Sequence, residues 1–217
     1  MKKKINQEAY SLIALIVFGG LFLVELVGLV ILKYKPFFQS ILVFQLLIAA
    51  VIVLLSQPKS SSKYYLFIII GFAVGFFAEM LGVQTGWLFG DFYFTEKLRF
   101  LVAGVPLIVG VNWVVFSLSS FSVLPEKMPA PLKHFIAAIL MVILAFFLEI
   151  MAVSNELWVW KNSSHFPTYK NFVDCFLIAL VMQLLIYFFQ LQKNKIAAIF
   201  FYVFLLFLIS FFLIEII

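Results

Sequence analysis

Glu79, Glu149, Asn171 and Asp174 are polar side chains in or at the edge of apolar runs that have no structural need of them. An ionisable group at hydrocarbon depth is costly enough to point to function. A carboxyl group in a low-dielectric site can keep its proton near neutral pH and act as a general acid. A second, ionised acid or an amide can hold and deprotonate a water. Aromatic faces nearby can stabilise a developing carbocation through their negative quadrupole. These are the parts for protonating an isolated alkene and trapping the cation with water, a scheme that calls for no cofactor and no metal.

The elements that must position these groups follow from composition. With 217 residues, 65% of them hydrophobic, and a mean hydropathy of +1.18, the chain has more apolar surface than a water-soluble core of its size can hide. Apolar runs close to the span of a hydrocarbon core recur along it, so the expected fold is all-α: one polytopic integral membrane helical bundle of about seven transmembrane helices, a single domain over residues 1–217. The helices are expected at 10–32, 37–55, 64–83, 100–121, 134–153, 172–191 and 196–217. The run after Lys2, Lys3 and Lys4 is as long as a full span and lacks an A-x-A-like cleavage site, so it reads as a retained first helix.

Several chemistries are excluded by what the chain lacks. Only His134 and His165 are present, both assigned to loops, so a histidine-rich di-iron site cannot be built. Asp91 and Asp174 are too few for an Asp-rich magnesium diphosphate site. Neither a P-loop nor a G-x-G-x-x-G stretch occurs, and Cys175 has no partner for a disulfide. The net charge of +5 sits in short loops, which fits topology signalling and not nucleic-acid binding. Nine Lys or Arg residues fall in the N-terminal tail and even loops and six in the odd loops, a bias that places the N-terminus in the cytoplasm and the chain in the cytoplasmic membrane.

The two longest loops, 84–99 and 154–171, emerge on one side and are rich in aromatics: Trp87, Phe89, Phe92, Tyr93 and Phe94 in the first, Trp158, Trp160, Phe166 and Tyr169 in the second. They read either as an interfacial belt or as a mouth over a cavity. Helices three and five run toward that side and carry Glu79 and Glu149 near their ends. Helix six runs back from it with Asn171 and Asp174 at i and i+3, so the three acids can share one layer, with Asn112 and Trp113 as a floor. Glu25 lies at comparable depth. Gly71, Gly75 and Gly82 admit close approach on the Glu79 helix, most commonly of another helix, and Gln45 and Gln183 read as interhelical hydrogen-bonding groups.

One stretch also carries a likeness. Glu79-x-x-Gly82-Val83-x-Thr85-Gly86-x-x-Phe89-Gly90, the aromatic pair Phe92 and Phe94, Gly104-Val105-Pro106 and Trp113 together resemble the membrane carotenoid 1,2-hydratases, which act on γ-carotene, lycopene or bisanhydrobacterioruberin. Trp158-x-Trp160 and Asn171-Phe172 are similar to that family's second block. The chain departs from the pattern at Glu149-Ile150-Met151-Ala152, where an acid followed by proline is expected. It departs again at Pro167, displaced by one position, and at Asp174-Cys175, where a small residue and Trp are usual.

The resemblance implies hydration of the terminal double bond of an acyclic ψ end group, with the carotenoid, water, membrane lipid and other carotenoid-pathway enzymes as partners. Glu79 or Asp174 would protonate C2, and a water held by Asn171 and the remaining acid, with Glu149 in the same set, would add at C1. Thr85, Trp87, Phe89, Tyr93, Asn112, Trp113, Trp158 and Trp160 are the expected substrate contacts. A carotene cyclase that begins with the same protonation, or a small lipid transporter, is the rival reading.

Overall fold

The computed structural model describes residues 2–31, 33–161 and 167–216, with side chains from residue 8 onward; His165 and Phe166 lie outside the described residues. Among the described residues the chain forms seven α-helices: α1 Lys2–Val30, α2 Lys35–Leu55, α3 Ser62–Thr85, α4 Leu107–Val123, α5 Ala130–Ser154, α6 Tyr169–Phe189 and α7 Lys195–Ile216. All but α4 are long and apolar enough to cross a membrane. With its apolar outer faces the chain is an all-α, multi-pass membrane bundle.

Local chemistry explains the helix ends. Pro36 sits in the first turn of α2, where its missing N–H is not needed. Ser61 caps α3 by accepting the Tyr64 N–H, and α3 stops at Gly86, whose φ of 67° is left-handed. A Cβ at Gly86 would also sit 2.6 Å from Asp91 Oδ1. The fourth helix starts later than its apolar run implies. Residues 101–106 form a small hairpin, β2 Leu101–Val102 against β3 Val105–Pro106. Pro106 then serves as the N-cap, so α4 is a 17-residue helix at the short end of spanning length. His134 lies inside α5 and not in a loop, because that helix begins at Ala130 with Pro131 in its first turn.

The two long loops are tied together. Between α3 and the hairpin, Phe92–Phe94 forms a strand that pairs antiparallel with Trp158–Trp160, Phe92 opposite Trp160 and Phe94 opposite Trp158. Numbered in chain order, these are β1 and β4. Lys97 adds an ion pair to Glu156 at 2.8 Å, and its ammonium holds that exposed carboxyl below the usual carboxylate range.

Helix α4 runs through the middle of the bundle, in contact with α2, α3, α5, α6 and α7. On one side Phe22 of α1, Phe204 and Phe207 of α7 and Phe116 of α4 pack ring on ring. On the other, Trp113 lies against α3 at Gly75, where a Cβ would come within 2.5 Å of the Trp113 side chain. That glycine therefore serves helix packing.

Candidate active site

Between α3, α4, α5 and α6, beneath the β1–β4 pair, lies a cavity of about 100 Å³. The small residues Ala145 and Cys175 leave the space, and aromatic rings enclose it. Strand alternation aims the rings: in β1 Phe92 and Phe94 face in while Tyr93 faces out and is 45% exposed. In β4 Trp158 and Trp160 share the face toward the cavity. Two residues apart, these indoles could reach one spot only from an extended strand.

Glu149, near the end of α5, receives both of them. Trp158 Nε1 and Trp160 Nε1 donate to Oε2 at 2.9 and 3.2 Å, and Asn171 Nδ2 donates to Oε1 at 3.1 Å. The Asn171 carbonyl in turn takes the Cys175 thiol at 3.8 Å, which fixes the amide with its nitrogen toward the acid. Glu79 has a sparser shell. Trp113 Nε1 donates to its Oε1 at 3.1 Å, and Phe89 stacks on that indole at 6.4 Å between ring centres. Asn112 lines the same space one residue before Trp113.

Seven of the twelve expected site residues thus line one cavity: Glu79, Glu149, Asn171, Asn112, Trp113, Trp158 and Trp160. The other five lie elsewhere. Asp174 turns toward the 86–91 turn, where its Oδ2 accepts the Phe89 N–H at 2.8 Å and pairs with Lys170 one helical turn away. Lys170 also reaches the Trp87 carbonyl, so α6 grips the turn at two points. Phe89 is buried at a left-handed φ of 62°, behind Trp113 and not on the cavity wall. Thr85 closes the end of α3, donating to the Leu81 carbonyl and accepting the Trp87 N–H. Trp87 is 68% exposed, level with the loops.

Glu25 does not join this group. It is fully buried on α1 with Gln45 of α2 as its polar neighbour, but among the described residues neither its carboxyl oxygens nor Gln45 Oε1 meets a hydrogen-bond partner within normal geometry. Residues not expected at the site include the inward rings Phe92 and Phe94, Cys175 and, deeper in the bundle, Phe116 and Met141. Phe92 and Phe94 could have been found by reading Phe92-Tyr93-Phe94 as a strand. Cys175 could have been found from its i+4 spacing to Asn171. Phe116 and Met141 carry no signal apart from that of any apolar helix residue.

The family model described as carotenoid biosynthesis protein matches residues 37–217. The chain belongs to that family. Its role is therefore in carotenoid biosynthesis, and every residue that lines the cavity falls within the matched span. No curated protein and no solved structure matches the chain.

Proposed function

We propose that the chain is a carotenoid 1,2-hydratase, adding water across the terminal double bond of an acyclic ψ end group such as that of lycopene or γ-carotene. The observation that carries this reading is the pairing of two carboxyl groups with different shells on one aromatic-walled cavity. Among the described residues Glu149 accepts from three donors, whereas Glu79 accepts from Trp113 alone, which leaves its second oxygen to carry a proton.

In the proposed reaction Glu79 gives its proton to C2 and the π electrons form the new C–H bond, leaving a tertiary cation at C1. The faces of Trp113, Phe92 and Phe94 offset that charge. A water held at Glu149 and Asn171 bonds through oxygen to C1 and passes a proton to Glu149, giving a tertiary alcohol. Transfer of that proton back to Glu79 completes the cycle. Asp174 acts from outside, by holding Phe89 behind Trp113. A cavity of about 100 Å³ admits the branched tip of a polyene and little more, which fits chemistry confined to an end group.

Expression in cells that accumulate lycopene or γ-carotene, followed by chromatography and mass spectrometry of the pigments, tests the reading. A hydratase yields a more polar pigment heavier by one water. An isomer of unchanged mass would mark a cyclase, and unaltered pigment would remove both enzyme readings. The charge bias supports a cytoplasmic membrane location with the N-terminus inside.

A further inference from the structure

Behind the cavity, away from the β1–β4 pair, the bundle is not uniformly apolar. Met141 is the residue of α5 that lines the cavity farthest from the strands. Its sulfur lies 3.6 Å from Gln183 Nε2, which also donates to the Ser117 carbonyl at 3.0 Å and reaches Ser120 Oγ at 3.3 Å. Two amide hydrogens are thus shared among three acceptors. The other end of the same amide, Gln183 Oε1, meets His134 Nδ1 at 3.3 Å. His134 is partly exposed in the first turns of α5, at the opposite end of the bundle. Polar groups therefore run without a break from that surface, through His134 and Gln183, to the side chain that closes the cavity.

Gln183, Ser117 and Ser120 have no exposed surface. Helix association alone needs fewer polar groups than this. An amide with competing acceptors is a group that a passing water can satisfy.

We propose that this file admits water to the cavity from the end opposite the strands, with His134 at its mouth, Gln183 as its middle station and Met141 as its seal. The inference rests on the hydratase reading. Hydration consumes one water per turnover, and a polyene whose tip fills so small a cavity also fills the way it came in. A separate route lets water reach the cation behind the substrate. The flexible Met141 thioether can swing without opening a permanent hole.

The test uses the full chain in membranes with lycopene in deuterated water, comparing wild type with Gln183→Leu, Ser120→Val and Gln183→Ser at matched protein levels. Both hydrated product and deuterium in the recovered lycopene are measured. A cation not trapped by water loses a proton from carbon and returns to alkene, so exchange reports protonation independently of hydration. Gln183→Leu and Ser120→Val are expected to lower hydration about tenfold while exchange is kept or raised, and Gln183→Ser to stay within about threefold of wild type. Equal loss of hydration and exchange would mark a packing role and overturn the proposal. So would unchanged hydration in Gln183→Leu. Wild type that exchanges deuterium without forming alcohol would overturn the water route while leaving the acid in place. Wild type that does neither would overturn the hydratase reading itself, and the route with it.

Discussion

Two glutamates share a cavity yet have unlike neighbours, and the roles proposed for them rest on that difference. Replacing Glu149 by Gln leaves one oxygen that can still accept from the two indoles and sets an amide NH2 against the Asn171 donor, so on the proposed mechanism the base that takes the water's proton is lost. Hydration by Glu149→Gln and by Glu79→Gln is expected to fall at least about 100-fold at matched expression, measured as alcohol formed per unit protein. Trp113→Phe keeps a ring behind the site but removes the indole N–H that donates to Glu79, and a loss of roughly tenfold is expected. Asp174→Asn still offers an oxygen to the Phe89 N–H, so it should retain most of the activity, whereas Asp174→Ala leaves that buried N–H unpaired. Full activity in Glu79→Gln would move the proton donor elsewhere, and loss in Asp174→Asn equal to that in Glu79→Gln would return Asp174 to the acid's role.

The elements that hold these residues were unequally legible. Long apolar runs announced the helices, and the polar interruptions at Glu79, Glu149 and Asn171 marked the end of the bundle where the cavity lies. The start of α4 was misplaced because Phe100-Leu101-Val102 is as apolar as a helix turn, and only the Ala103-Gly104 turn, with φ of 51° and 80°, and Pro106 reveal the hairpin. The β1–β4 pair was invisible as a pair: strands of three residues are too short for periodicity, and their partners lie far apart in the chain. Missing that alternation put Tyr93 among the substrate contacts in place of Phe92 and Phe94. The i, i+3 spacing of Asn171 and Asp174 predicts a shared face, but Asn171 and Cys175 face the cavity while Asp174 faces the turn. The turn itself predicts a stability effect. Gly86→Ala forces a side chain into a left-handed residue and toward Asp91, and should destabilise by about 1 to 2 kcal/mol, read as a lower thermal midpoint in detergent.

At the scale of the whole molecule, the cavity occupies one end of a membrane bundle and the polar file the other, with central α4 contributing to both. Six helices of spanning length and a shorter α4 place the loops between α3 and α4, and between α5 and α6, on one side. On the proposed orientation, which follows the excess of Lys and Arg in the other loops, that side is the outer one. A cysteine introduced at Lys161 should therefore react with an impermeant thiol reagent in intact cells, and one at Lys127 only after the membrane is opened; the reverse pattern would invert the orientation. The central claim concerns the bond made inside, and purified protein given lycopene in heavy-oxygen water tests it most directly. One labelled oxygen in the tertiary alcohol at each hydrated end, absent with Glu149→Gln, is the predicted result. Pigment recovered without label, as unchanged or isomerised hydrocarbon, would contradict it.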